Sequence, residues 1–260
     1  MSGAGSRGDG PLARLRRFTP ARIGLGRFGP ALPTREVLAF GLAQARARDA
    51  VQAALDVERL KEDLAAASAH GPGAAPAVVR SAAPDRATYL ARPDLGRQLA
   101  PGQADLLRGK AEIAVVLADG LSAVAVQRHA VPLLRALRER APARWAAAPV
   151  AIALEARVAL GDEVGAHLAA RLVAVLIGER PGLTSPDSLG VYLTFDPRPG
   201  RVDAERNCVS NVRPSGLAYR EAARRVDWLA EAALARALTG FRLKDESDDA
   251  ALPPGRTALP

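Results

Sequence analysis

Leu172-Val173-Ala174-Val175-Leu176-Ile177-Gly178-Glu179-Arg180-Pro181-Gly182-Leu183 decides the fold class of this chain. Apolar residues, several of them β-branched, run on without alternation, then stop at Gly178-Glu179, and Pro181-Gly182 forces a turn. A strand apolar on both faces is buried on both faces, which is the habit of central strands in parallel sheets. In open α/β sheets ligands bind in the crevice beyond the carboxyl ends of the strands. A carboxylate delivered to that edge is costly unless something engages it. Glu179 is therefore the first candidate functional residue.

Outward from this run the pattern alternates. Residues 112–118 predict a strand, 121–140 a helix, 150–154 a strand and 162–171 a helix. Residues 189–195 and 208–212 predict two more strands, and 219–238 a closing helix with Ala222, Val226, Leu229, Ala233 and Leu234 on one face. Strand–helix–strand alternation implies βαβ units with right-handed crossovers. The expected class is α/β, with a mainly parallel sheet over residues 109–242. Before it, Val37, Leu38, Phe40, Leu42, Ala45, Ala50, Val51, Ala54, Leu55, Leu60 and Leu64 recur at helical period. They predict one long helix from about Pro33 to the loop His70-Gly71-Pro72-Gly73. Turns and short helices follow over 81–110, so residues 21–108 read as a small all-helical N-terminal domain. Residues 1–20 read as a flexible basic tail in which Leu12, Leu15 and Phe18 lie among Arg14, Arg16 and Arg17, and residues 243–260 as a flexible C-terminal tail.

Composition narrows the function classes. The net charge of +8 invites a nucleic-acid reading, but the arginines are scattered among acids and only 4% of residues are aromatic. Phosphate-tracking patches are clustered, and base stacking needs aromatic platforms. A single cysteine, Cys208, excludes an internal disulfide and a cysteine-cluster zinc site. His70, His129 and His167 show neither metal-ligand spacing nor a place in a nucleophilic triad. No apolar run reaches the roughly 18 residues of a membrane span, and a cytoplasmic chain is expected.

Three acid–glycine pairs, Asp119-Gly120, Gly161-Asp162 and Gly178-Glu179, are expected at the same edge of the sheet. Helix capping and turn formation explain the residue type at Asp119, which precedes the N-cap candidate Ser122, and at Asp162, itself a candidate N-cap. Glu179 has no helix to cap. No Gly-x-Gly-x-x-Gly or Walker lysine motif follows any strand, so a pyrophosphate cradle is not expected. Carboxylates beside open loops suit a ligand rich in amide or hydroxyl donors. Ser185-Pro186-Asp187-Ser188 reads as a binding loop or an ordinary turn, and Cys208 as a small core residue or a ligand contact.

The motifs Thr19-Pro20-Ala21-Arg22-Ile23-Gly24-Leu25-Gly26-Arg27, Pro33-Thr34, Ala47-Arg48-Asp49-Ala50-Val51 and Tyr89-Leu90-Ala91-Arg92-Pro93-Asp94-Leu95-Gly96-Arg97 form one ordered set. With Ala118-Asp119-Gly120-Leu121-Ser122, Gly178-Glu179-Arg180-Pro181-Gly182-Leu183, Pro186-Asp187-Ser188-Leu189 and Arg206-Asn207-Cys208-Val209-Ser210-Asn211, they resemble the small subunit of ethanolamine ammonia-lyase. The resemblance runs from about Thr19 to Leu238. It implies a Rossmann-like domain behind the helical one. It implies also a lyase that converts ethanolamine to acetaldehyde and ammonia with adenosylcobalamin, held between this subunit and a large catalytic subunit. The family's cofactor contacts map by motif onto Val158, Glu179 and Cys208. No Asp-x-His-x-x-Gly occurs, so the resemblance points to cobalt keeping its own benzimidazole base, with no metal ligand from this chain. Gln44 stands where many relatives carry His, and the short tail leaves open any targeting to a bacterial microcompartment. The alternative is a stand-alone α/β module for another nucleotide-like ligand.

Overall fold

In the computed structural model, residues 14–15, 18–19, 21–27, 30–67 and 75–248 are described. Most of the tail over 1–20, and the end of the C-terminal tail from 249, lie outside them. Seven helices and six strands occur among the described residues, in the order α1 (Thr34–Gln52), α2 (Val57–Ala66), β1 (Ala77–Arg80), α3 (Arg86–Ala91), β2 (Ile113–Ala118), α4 (Ala123–Arg140), α5 (Pro142–Trp145), β3 (Val150–Leu154), α6 (Leu160–His167), β4 (Leu172–Gly178), β5 (Leu189–Phe195), β6 (Asn207–Val212) and α7 (Tyr219–Arg236).

The strands form one mixed sheet in the order β1-β3-β2-β4-β5-β6. β1, β3, β2 and β4 are parallel, with Ala77 opposite Ala151, Val115 opposite Val150 and Ile113 opposite Leu172. β5 runs antiparallel to β4, and β6 antiparallel to β5. The α/β class therefore holds, and the sheet is parallel over its first four strands. The last two depart from that pattern for a simple reason. Residues 179–188 contain no helix, and a parallel neighbour needs a long crossover. β4 is buried along its whole length, as its unbroken apolar run requires.

One face of the sheet carries α2, α4 and α7, whose Leu60, Leu64, Val126, Leu133, Leu137, Val226 and Leu229 pack on Ile113, Val115, Leu117, Leu172, Ala174 and Leu176. α6 covers the other face, where Leu160 and Val164 meet Ala114, Val116, Val173 and Val175. The odd and even residues of β2 and β4 thus feed separate cores, as alternation along a strand dictates. Beyond α6 that second face is open: Cys208 and Ser210 of β6 are exposed.

Two expectations for the N-terminal part are corrected. The region 21–108 is not all-helical, because Ala77–Arg80 adds an edge strand, β1, to the sheet. The single long helix is broken at 53–56: Ala53 is extended, and the Asp56 side chain restarts the chain as α2 by accepting the Arg59 N–H at 3.0 Å. At the other end, Leu243 is buried in the first core and Ser247 is buried, so residues 243–248 pack on the domain.

Candidate functional site

β2 and β4 are neighbours, but the helices that follow β2 and β3 lie on opposite faces. The crevice at their carboxyl ends is the place such a sheet offers a ligand. The two exit turns approach closely there. A Cβ on Gly178 would lie 2.0 Å from the Ser122 carbonyl oxygen, and one on Gly120, at φ +58, would lie 2.3 Å from that of Gly178. Only glycine permits this contact at either position. Ser122 caps α4 as expected, accepting the Ala125 N–H at 3.3 Å, and donates its hydroxyl to Pro186 O at 3.0 Å.

Glu179 follows directly on β4 and is half-buried. Its backbone N–H donates to Ser188 O at 2.9 Å, while its carboxylate accepts the Ser188 hydroxyl and, at 3.3 Å, the Asn211 N–H. The carboxylate rests above Gly190, where a Cβ would meet Oε1 at 2.9 Å. Next to Gly190 stands Tyr192, and opposite Tyr192 in the ladder is Cys208. Glu179, Gly190, Tyr192 and Cys208 therefore form one continuous patch on the open face. The Cys208 side chain reaches solvent, yet the surrounding protein desolvates its sulfur enough to hold the thiol above its usual range. Tyr192 opposes that shift and Glu179 adds to it. A thiol held protonated is a poor nucleophile.

Val158 lies in the turn between β3 and α6, partly buried against the second core, which Tyr192 also flanks. Its carbonyl accepts the Gly161 N–H at 3.0 Å, and the exposed part of its surface is apolar. Asp119 is buried and accepts the N–H groups of Glu155 at 2.8 Å and Ala156 at 3.0 Å. Burial pushes its carboxyl up to about 6 against those two hydrogen bonds.

Asp162 is not at the edge and does not cap a helix. It lies in the first turn of α6, after Ala159 at the cap position. Its side chain is 2% exposed and makes a bidentate pair with Arg206, 2.7 Å at each oxygen, while Arg206 also donates to Thr194 Oγ1 at 2.9 Å. This buried clamp ties α6 to the start of β6, two residues before Cys208. Gln44 lies on the exposed face of α1, away from these contacts.

Several members of the patch escape the sequence reading. Gly190 interrupts an otherwise apolar strand, a signal of close approach that could have found it. Ser188 lies in the Ser185–Ser188 stretch already read as a loop. Tyr192 carries no sequence signal, since only the β5–β6 register brings it in, whereas Asn211 stands in the Asn207–Asn211 stretch that the sequence already places on a short strand beside this edge, and a left-handed backbone (φ +59) holds it there. His129 pairs with Tyr219 at 2.8 Å and Asp187 at 3.3 Å, which fastens the 183–188 loop to α4.

Among the described residues, no group of three or more His, Cys, Asp or Glu could hold a metal ion. None of the described helices is long and apolar enough to cross a membrane. What the patch offers is one carboxylate acceptor, a soft sulfur, an aromatic edge and an apolar flank, with no cation among its members. That chemistry suits a broad ligand bearing amide or hydroxyl donors.

Comparison with known proteins gives a concordant result. The family model described as "Ethanolamine ammonia-lyase light chain (EutC)" matches residues 9–244. The chain is 54% identical to an ethanolamine ammonia-lyase small subunit of Bradyrhizobium diazoefficiens, over 96% of each chain. It is 52% identical to one of Azotobacter vinelandii, over 94% of this chain and 92% of the relative. A third, of Ralstonia nicotianae, is 50% identical over 95% and 92%. The chain belongs to the ethanolamine ammonia-lyase light-chain family and is a subunit of a lyase.

Proposed function

We propose that this chain helps bind adenosylcobalamin at an interface with the large subunit of ethanolamine ammonia-lyase, in the cytoplasm, for the conversion of ethanolamine to acetaldehyde and ammonia. The observation that carries this reading is the patch itself. Glu179 and Cys208, separated by 29 positions in sequence, meet on one open face, and Val158 flanks the same core as Tyr192 of that patch. The β2–β3–β4 half, with helices on both faces, supports a Rossmann-like reading of that domain.

The residues fit the group. Cobalamin is fringed by neutral carboxamides and carries hydroxyls, which donate; Glu179 is an acceptor already oriented by Ser188 and Asn211. Val158 supplies apolar contact and Cys208 a small soft one. When bound, adenosylcobalamin supplies the radical chemistry, and the protein positions it and keeps water out. The open face over β5–β6 excludes no water by itself, so a second surface has to close over it. A large catalytic subunit is such a surface.

Co-expression with a large subunit from the same family tests this. The expected result is a stable two-subunit complex with ethanolamine deamination dependent on adenosylcobalamin. A chain that forms no complex, binds no cobalamin with the large subunit and yet is stabilised by a dinucleotide would instead be a stand-alone binding module.

A further inference from the structure

The turn that presents Val158 is held in an unfavourable backbone conformation. Glu155 has φ +50, one of five non-glycine residues in the left-handed region among those described. For an L-residue this conformation is disfavoured because it brings Cβ too close to the following carbonyl oxygen, and it persists only where surroundings over-determine it. Those surroundings are visible. Asp119, at the end of the neighbouring strand β2, accepts the N–H groups of both Glu155 and Ala156. Arg86 donates to the Glu155 carboxylate at 3.0 Å, to Gly120 O at 2.8 Å and to Val51 O at 2.7 Å. The Tyr89 hydroxyl donates to Ala156 O at 3.3 Å. The Arg86 and Arg157 guanidinium groups lie 4.8 and 4.4 Å from its ring centroid.

The Asp119 carboxylate is surplus to its own turn. α4 is capped by Ser122, and the β2–α4 turn uses only the Asp119 backbone oxygen, which accepts the Ser122 N–H at 3.2 Å. Any residue could supply that oxygen. The side chain is instead buried, against its own ionisation, to grip two consecutive amides of a turn 36 residues downstream. We infer that Asp119 is a positioning residue, which presets the Glu155–Ala156 turn so that Val158 stands ready for the corrinoid. This rests on the cofactor-binding reading above.

Asp119→Asn is the informative change. The amide keeps one acceptor but turns an N–H₂ donor toward one of the two N–H groups, so one bond is lost and two donors face each other. In the assembled two-subunit complex, adenosylcobalamin Kd should rise about tenfold. Without cofactor, the Glu155 and Ala156 amides should exchange hydrogen faster than in the unmodified chain. Asp119→Ser, with a single hydroxyl acceptor, should fall between and serves if the Asn variant does not assemble. Asp227→Asn is the comparison for a merely structural effect. That carboxylate is also buried, but it pairs with Arg144 and Trp145 of α5, which follows the C-terminal end of α4, so its loss should lower Tm and leave Kd unchanged. Unchanged Kd and unchanged exchange at 155–156 in both Asp119 variants overturn the inference. If the unmodified complex itself binds no adenosylcobalamin, the cofactor reading fails, and the exchange measurement still decides whether Asp119 holds the turn.

Discussion

Replacing Gly178 with alanine puts one methyl group into the closest approach found at any of the described glycines. The new Cβ would lie 2.0 Å from Ser122 O and 2.7 Å from Asp119 O, both backbone atoms with no rotamer to escape into. The β2 and β4 exit turns must part by at least about 1 Å to relieve it. That movement strains the Leu121 N–H bond to Gly178 O, now 2.9 Å, worth about 1 kcal/mol. Overpacking of a well-filled site adds roughly 1–3 kcal/mol. The sum is a loss of about 2–4 kcal/mol, which for a domain of this size lowers Tm by roughly 5–15 °C. Thermal unfolding of the full chain followed by circular dichroism reads it directly. Gly182→Ala is the matched control, because its Cβ would meet nothing closer than 3.8 Å; it should be neutral within about 0.5 kcal/mol. Equal Tm values for the two variants would refute the close-approach argument.

Asp162→Asn leaves buried Arg206 with only the exposed carboxylate of Asp203, at 3.5 Å, as counter-charge and should cost about 3–5 kcal/mol in denaturant unfolding, whereas removing both members of the Asp162–Arg206 pair together should cost less. For Asp119 the pH dependence has two opposite signs. Its pKa, about 6 against an unfolded value of 3.8, means the folded chain binds this proton more tightly. The cost of burying the charge is therefore fully present above pH 6 and fades as pH falls from 6 toward 3.8. Over the same window the protonated acid grips the Glu155 and Ala156 amides less well, with Arg86 opposing and Glu155 favouring protonation. Going from pH 7 to pH 5, the unmodified chain should gain Tm relative to Asp119→Asn while its advantage in cofactor affinity shrinks; parallel movement of the two would contradict this. Cys208→Ala should change turnover by less than about threefold, as expected for one weak contact. Complete loss of activity would mean that the thiol reacts.

The parts of the fold visible in the sequence are those in which a residue's neighbours lie nearby in the chain. The β4 run, the Leu189–Phe195 strand and the Ser122 cap follow from periodicity and turn chemistry within a dozen residues. β1 does not: four residues, Ala77–Arg80, become a strand only because β3, seventy-four positions on, offers an edge. The break between α1 and α2 has no Gly or Pro to announce it, only the cap at Asp56. At the site, Glu179 was legible because a carboxylate ending an apolar run is anomalous in itself. Asp162 reads in the sequence as a helix cap at the sheet edge, yet Arg206, forty-four positions away, draws it into a buried pair. Val158 carries no chemical signal in its own side chain and entered through family resemblance alone.

The most direct test of the central claim is the adenosylcobalamin Kd of the assembled complex carrying Glu179→Gln. The change keeps size and one acceptor oxygen, removes the charge and turns the other oxygen into a neutral N–H₂ donor. Because charge-assisted hydrogen bonds are roughly twice as strong as neutral ones, the account predicts Kd weakened by about tenfold with Tm within about 2 °C. An unchanged Kd would make Glu179 a structural residue of the β4 exit turn and would contradict the account.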